Sequence, residues 1–464
     1  MEGEFEYMNT WTLHVENFGK IKSANIDLAP MTLFVGDNNS GKSDIMTLIY
    51  GIMNTNFFGE QYQFDDKSEN YKKCREFVDR IYEICNSSYN ASRIIEITYE
   101  EMKCFENVLN ELLAANKDRF VNNLFNRQTD IGTLNIIFHK NNRYKFLCGL
   151  SYTAEQIEKI TITGIRKEND PIIGCTCQVE KRNGSYEYRQ LISFIIEYLI
   201  SESFGMQSVY FPAARTGYLM MYKLLTESKV KDAINFKIMH KKILTRPDIN
   251  FFEKLNTVAK NGLTVDVSYI NGSIQNAISI IEKNIIEGDI LVSDIPGYDI
   301  FYQSNGTALQ LPVFVTSSSV KEMVPLLLFL KSGMVQTMFI EEPEMCLHIK
   351  LHCEMARVLI RLVNSGIPIF AATHSDIILQ HINNMIKLSD AAGCEKIRKK
   401  LGYEECDQID KEKVAVYQFA VDESGITIVS KLSCGEFGYE VMTFYNVLEK
   451  LNRQIEMIER DIIL

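Results

Sequence analysis

Residues 36–43 read G-D-N-N-S-G-K-S, set between the apolar run Thr32–Val35 and a helical pattern from about Lys42 to Ile52. A strand that turns through glycines straight into a helix aims several backbone N–H groups and a helix N-terminus at one point, and that arrangement favours a bound anion. Gly36 and Gly41 let the backbone curl. Asp37, Asn38, Asn39 and Ser40 form the loop between them, and Asp44 falls in the first turn of the helix. Lys42 has the reach for β- and γ-phosphates, and the Ser43 hydroxyl is placed for a magnesium ion. The pattern is that of a P-loop, and its flanking strand and helix commit this part of the chain to an α/β sheet.

Three further motifs lie in the second half of the chain. M-F-I-E-E-P-E-M-C-L-H at 338–348 is an apolar strand ending in Glu341 and Glu342. A carboxylate at such a tip holds Mg2+ or its waters, and the next one can polarise an attacking water. Glu341 stands where aspartate is usual and is one methylene longer. I-F-A-A-T-H-S-D at 369–376 places His374 at the end of another apolar strand, 32 residues after Glu342 and across one helix, where it can contact a γ-phosphate. V-T-S-S-S-V-K-E at 315–322 opens a helix with serines just before the acidic strand, a second anion-binding helix start.

The intervening sequence supplies the frame. Thr12–Val15 and Ile21–Leu28 alternate as half-buried strands. Between 53 and 130 the pattern is polar and mostly helical around a strand at Ile94–Tyr99. Strands follow at Leu134–Phe138, Tyr144–Leu147, Ile160–Ile162 and Ile173–Val179, then a helix at Gln190–Ser203. V-Y-F-P-A-A-R-T-G-Y at 209–218 reads as a strand entering a turn at Pro212–Gly217. A lysine-rich helical stretch fills 218–260, with short strands at Ile290–Val292 and Gly297–Gln303. From 317 onward helix Val320–Lys331, strand Thr337–Ile340, helix Leu347–Val363 and strand Ile367–Ala372 alternate, which implies parallel strands with crossover helices. Val414–Ala420 and Ile426–Lys431 flank D-E-S-G as a hairpin. In the last segment Val441, Phe444, Leu448, Leu451, Ile455, Ile458 and Ile462 recur at alternating steps of three and four, an apolar stripe suited to self-association or partner docking.

Composition narrows the function. No apolar run approaches the ~20 residues of a membrane-spanning helix, and the acidic start M-E-G-E-F-E-Y lacks a signal-peptide core, so a cytoplasmic protein without membrane contact is expected. The eleven cysteines show no repeated C-x-x-C pair, as expected of reduced thiols. A net charge of −11 is unlike a dedicated nucleic-acid binder. Basic clusters at Lys396, Arg398, Lys399 and Lys400, and from Lys229 through Lys231, Lys237, Lys241 and Lys242 to Arg246, read as solvated helix faces and leave local DNA contact open. His348 and His352, with Cys346 and Cys353 nearby, have zinc-compatible spacing, against which stands a helix face turned to the core or to another subunit.

Taken together, the motifs resemble those of the ATP-binding-cassette ATPases, and more closely the OLD, RecF and SMC-like branch of AAA family ATPases, in which N-N-S-G-K-S, I-E-E-P-E and A-T-H-S are typical. The resemblance covers residues 10–50 and 310–380, and V-Y-F-P-A-A-R-T-G extends it. It implies an ABC-type P-loop α/β fold with a mainly parallel central sheet, an antiparallel β part and a helical insertion lobe. The expected organisation is 1–52 as the N-terminal part of the core, 53–205 as an inserted lobe, 206–285 as a helical lysine-rich segment, 286–400 as the C-terminal part of the core, and 401–464 as a hairpin and helix for assembly. The resemblance further implies ATP with Mg2+ as ligands, held by 36–44 and by Ser43 and Glu341. Glu342 would be the catalytic base, His374 the switch histidine, and Lys42 a catalytic contact. Two copies would sandwich ATP, with Ser317, Ser318, Ser319 and Lys321 of one as the signature touching the γ-phosphate of the other, and Glu344–His348 as the D-loop at the seam. Two departures bear on turnover. The glycine usual after two signature serines is replaced by Ser319 and Val320, and C-L-H-I replaces H-L-H-P. The metal-sensing glutamine has no assigned position. No D-x-D cluster follows His374, so no nuclease of its own is expected. The chain resembles the ATPase subunits of the PARIS and Septu antiphage systems, and that resemblance implies a sensor or scaffold subunit that controls a separately encoded effector nuclease. A RecF-like DNA-repair ATPase and an ATP-gated scaffold with little hydrolysis are the alternatives.

Overall fold

The structure, a computed structural model, describes residues 10–86, 92–152, 158–167, 170–181, 187–205, 207–213, 215–226, 244–261, 272–292, 300–390, 394–441 and 451–459. Its centre is a nine-stranded sheet. Five strands form the parallel part, in spatial order β15 (Val414–Val421), β3 (Met31–Gly36), β14 (Ile369–Ala372), β13 (Thr337–Glu341) and β9 (Ser208–Phe211). On the β15 side the sheet continues through β16 (Thr427–Lys431), β2 (Ile21–Asp27), β1 (Trp11–Phe18) and β5 (Thr133–Phe138), where antiparallel pairing dominates.

The parallel strands are apolar at nearly every position because both faces are covered. Successive side chains point to opposite faces, and the two cores follow that alternation. Phe34, Tyr210, Phe339, Phe370, Tyr417 and Phe419 enter one core. Met31, Leu33, Val35, Val209, Phe211, Met338, Ile340, Ile369 and Ala371 enter the other. On the first face Phe339 and Phe370 stack at 4.6 Å, and Tyr50 meets Phe339 edge-on at 5.4 Å. Tyr50 belongs to α1 (Lys42–Met53), the helix that leaves the glycine loop.

The first core also takes in α2 (Glu69–Asn86), α3 (Tyr99–Phe125), α4 (Tyr188–Ser201) and an antiparallel sheet ordered β4 (Arg93–Glu96), β6 (Lys145–Tyr152), β7 (Glu158–Lys167), β8 (Asp170–Glu180). The strand expected at Ile94–Tyr99 stops at Glu96. Thr98 starts α3 with a reciprocal capping box, accepting from the Glu101 N–H while its own N–H donates to the Glu101 carboxylate. The second core is covered by α5 (Arg215–Thr226), α6 (Arg246–Asn261), α7 (Gly272–Ile280), α8 (Ser318–Lys331), α9 (His352–Asn364) and α10 (Asp376–Asp390). A small sheet β10 (Gly288–Val292), β11 (Ile300–Ser304), β12 (Gln310–Pro312) leads into α8. The turn expected over Pro212–Gly217 is shorter, since α5 already begins at Arg215. The single helix expected over Leu347–Val363 is divided. A 3-10 turn at Ile349–Leu351 precedes α9, because His348 caps that turn by accepting from the Lys350 N–H.

The lysine cluster from Lys229 to Lys242 lies outside the described residues. The second cluster is on α11 (Cys394–Leu401), where Lys399 pairs with Glu395 and Arg398 donates to Gln408. Of the C-terminal stripe, Val441 is buried. Leu451, Ile455 and Ile458 are exposed on a helical stretch at 451–459, and Phe444, Leu448 and Ile462 fall outside the described residues. No described helix is long and apolar enough to cross a membrane.

One ionic cluster locks α9 to the segment after α11. Asp407 is fully buried and accepts hydrogen bonds from Arg357 and Arg361, both on α9. Burial alone would raise its carboxyl pKa, but the two guanidinium groups outweigh it and hold the pKa at about 2. A depressed carboxyl contributes stability above its unfolded pKa of ~3.9, and that stability is lost as pH falls toward 2. Asp407→Asn removes the buried carboxylate shared by the two arginines, leaving Arg357 with Glu354 and Arg361 with Glu404, and should cost about 3 kcal/mol near neutral pH. Denaturant melts checked at pH 7 and again near pH 3 should show the gap between variant and wild type narrowing at the lower pH.

Candidate functional site

The carboxyl ends of β3, β14 and β13 lie side by side, so the loops that follow them meet. After β3 the backbone takes positive φ at Gly36 (121°), Asn39 (56°) and Gly41 (92°). A Cβ on Gly36 would lie 2.1 Å from the Phe419 carbonyl oxygen, so the neighbouring strand β15 demands glycine there as well. Asp37 serves the loop's shape: its N–H donates to Phe419 O (3.0 Å), and its Oδ2 accepts from Val421 N (2.9 Å). The sequence pattern places Asp37 among the nucleotide contacts, whereas both of these groups tether the loop to β15. Ser40 is buried and donates to Asp37 O (2.7 Å), while Asn38, Asn39 and Ser43 are exposed. Burial raises the pKa of half-buried Asp44, with Arg127 opposing.

Lys42 is only 5% exposed. Its Nζ donates to Gly36 O (3.1 Å) and Asp37 O (2.5 Å). Burial lowers its pKa to about 8, against the attraction of Asp37, Glu342 and Glu344. His374 is exposed beside the same charges: burial and then Lys42 lower its pKa, while Glu342 and Glu344 oppose them. Lys42, Glu342, Glu344 and His374 therefore share one electrostatic neighbourhood.

The acidic tip is braced from β9. Glu341 Oε1 accepts from Tyr210 OH (2.5 Å), and Oε2 accepts from Ala213 N (3.3 Å). Burial raises the pKa of this carboxylate, while Tyr210, the nearby Ser43 hydroxyl and the Ala213 N–H lower it. A serine hydroxyl beside a carboxylate is the hard-oxygen donor set that suits Mg2+. Glu342 has φ 42°, a left-handed conformation unusual for a residue with a side chain. Its N–H donates to Ala372 O (2.8 Å), and its carbonyl accepts from Met345 N (2.9 Å). Glu344 joins this turn to the strand that carries the histidine: its carboxylate accepts from Thr373 Oγ1 (2.9 Å) and His374 N (2.7 Å).

The serine motif occupies a different place. Ser317 caps α8, its Oγ accepting from Val320 N, and both Ser317 and Ser318 are exposed. Ser319 Oγ donates to Cys346 O (2.7 Å), tying α8 to the turn after Glu342. Lys321 is half-buried. Among the described residues no hydrogen bond or ion pair connects Ser317, Ser318, Ser319 or Lys321 to loop 36–43. The chain thus brings the loop, the acidic tip and His374 together, while the serine helix is bonded to the turn after Glu342 and not to the loop. Gln207 and Gln336 sit at the opposite end of β9 and β13 from the acids, where Gln336 N donates to Gln207 O. The zinc reading finds no support. His352 Nδ1 is hydrogen-bonded to Ser375 Oγ (2.8 Å), and no group of three or more His, Cys, Asp or Glu side chains among the described residues could hold a metal.

Sequence reasoning missed Tyr210, Glu322 and the role of Arg215. Arg215 is 2% exposed. Its Nη1 donates to Glu341 O (2.8 Å), its Nη2 to Glu342 O (3.2 Å), and its Nε lies 3.0 Å from Glu322 Oε2 on α8. V-Y-F-P-A-A-R-T-G flags the segment, but only the pairing of β9 with β13 reveals what the arginine reaches.

A glycine loop, an acidic strand tip and a strand-end histidine converging on one edge of a parallel sheet define a P-loop nucleotide site. The chain matches the model of the AAA ATPase domain over residues 8–379 and belongs to that family. Two solved structures are similar to it. One is the SmcHead in a crystal structure bound to the C-winged helix domain of ScpA, 11% identical with a TM-score of 0.37 over 92% of this chain and 98% of that one. The other is the SMC head domain from Thermotoga maritima, 12% identical with a TM-score of 0.32 over 92% and 100%. A search of curated proteins finds no match.

Lys42 yields a pH prediction. Its amine is charged below about pH 8 in the free protein, and a bound polyphosphate holds the proton more tightly. ATP affinity should therefore be flat up to about pH 7.5 and then fall by up to about tenfold per pH unit. Isothermal titration between pH 6.5 and 9.5 reads this directly. Lys42→Ala, weak throughout, should show no such decline.

Proposed function

We propose that the chain binds ATP with Mg2+ at residues 36–43 and hydrolyses it to ADP and phosphate. The observation that carries this reading is the convergence of Lys42, Glu342 and His374 on the loop edge of the sheet. Lys42, charged at neutral pH, neutralises the β- and γ-phosphates and gives up its loop carbonyl partners to do so. Glu342, held on a rigid turn, orients and deprotonates the attacking water. His374, with its lowered pKa, meets the γ-phosphate as a neutral donor. Ser43 and Glu341 would hold Mg2+, which would offset the charge that develops on the phosphates.

The serine helix supports a shared site. Ser317 and Ser318 open α8 to solvent with free N–H groups at its first turn, and nothing described in the chain links them to the loop. A second copy would bring that helix start onto the γ-phosphate, and the apolar stripe through 451–459 would add to the assembly. In the cell we assign this ATP cycle to the sensor or scaffold subunit of a bacterial antiphage system that controls a separate effector nuclease. The support for that step is family analogy with the PARIS and Septu subunits.

Glu342→Gln should abolish steady-state hydrolysis while keeping ATP affinity within about threefold, as expected for loss of an interaction made in the transition state. Turnover equal to wild type sinks the assignment. Wild-type turnover no faster than Lys42→Ala, with tight ATP binding, assigns the chain to a non-hydrolysing scaffold instead. A mixture tests sharing: Lys42→Ala and Ser318→Arg, each inactive alone, should together regain up to about a quarter of wild-type activity through mixed dimers. No regain means that each chain works alone.

A further inference from the structure

We infer that Arg215 is a positioning residue that holds Glu342 in register for water activation and couples it to the serine helix through Glu322. The inference rests on the proposed hydrolysis and names a residue outside its reacting groups.

Arg215 is the first residue of α5, yet its guanidinium turns inward across the end of β13. The planar fork spends one terminal nitrogen on each of two consecutive carbonyls, those of Glu341 and Glu342, and its Nε faces the Glu322 carboxylate. The rigid fork is what allows one side chain to hold two carbonyls at once. Glu342 needs such a hold because its backbone sits in a left-handed conformation that costs energy for a residue with a side chain. Ala372 restrains its N–H from one side, and Arg215 and Met345 restrain its carbonyl from the other.

The second half of the unit is Glu322, 2% exposed, whose Oε1 accepts from Thr216 N (3.0 Å). Glu322 lies in the first turns of α8, downstream of Ser317 and Ser318. A parallel link, Ser319 Oγ to Cys346 O, joins the same helix to the far end of the same turn. Any displacement of the helix start is therefore delivered to Glu342 through two polar routes. A buried ion pair is weak evidence for stability, because an apolar pair of similar volume often serves as well. Its placement beside a strained turn points to geometry.

The double variant Arg215→Met/Glu322→Leu tests this, since it removes the pair without stranding a charge. The expected result is a melting temperature close to wild type, ATP affinity within about twofold, and kcat reduced about tenfold or more. Hydrogen exchange at Glu342, Met345 and Leu347 should rise while Met338 inside β13 stays protected. Arg215→Lys, which keeps a cation but loses the fork, should show the same split between kcat and affinity should the double variant fold poorly. Wild-type kcat in a folded variant overturns the inference, as does unchanged exchange in the turn. If Glu342→Gln hydrolyses ATP normally, the proposed function fails instead, and the exchange data alone decide what Arg215 holds.

Discussion

Burial of β3, β14, β13 and β9 on both faces governs where chemistry can occur in this chain. A strand covered on both sides has no place for a charge along its length, so polar side chains are confined to the ends. Thr32 shows the rule: its hydroxyl is buried and donates to Ala29 O. Glu341 is the last residue of β13, and Thr373 and His374 follow directly on Ala372. Parallel pairing then places these ends beside Gly36, because Ala372 is in register with Phe34 and Glu341 with Ala372. The clustering of these groups at one edge is a consequence of sheet direction.

The turn at 342–348 gathers what that edge holds. Glu342 is pinned through its backbone, Glu344 reaches Thr373 and His374, and Cys346 accepts from Ser319. One short segment is thereby bonded to the histidine strand, to the serine helix and, through Arg215, to α5. Two of its residues, Glu342 and Cys346, have positive φ. Strain of that kind persists only where the surroundings over-determine it, and the density of bonds around this turn supplies that condition.

Much of this was legible in the sequence for a physical reason. A glycine loop between strand and helix, and apolar runs that stop at acids or a histidine, are local patterns, and the alternation after Ser317 implies parallel pairing. What was not legible depends on pairings between distant segments. The hairpin β15–β16 reads as a C-terminal appendage, yet β15 lies against β3 and supplies the carbonyl that excludes a Cβ at Gly36. Asp37 reads as a phosphate-loop residue, yet it bonds Val421. Thr98 could have been read as a helix cap from its glutamate three residues on, but the apolar run before it hides the boundary.

The same long-range pairings bear on glutamate at position 341. Aspartate at a strand tip keeps its carboxylate close to its own backbone, whereas the extra methylene of glutamate demands outside support. That support comes from β9 and the residues after it, where Tyr210 OH and Ala213 N each donate to one oxygen of Glu341, with the Ser43 hydroxyl nearby. Tyr210 is itself held by Thr47 on α1, one turn beyond Ser43. The longer acid and the tyrosine therefore form a matched pair: the side chain extends as far as the donors on the adjacent strand require, and its oxygens stay within reach of Ser43. A shorter acid here would withdraw the carboxylate from the Tyr210 phenol and leave it the Thr47 hydroxyl alone, so the longer acid and the aromatic on β9 fit one another.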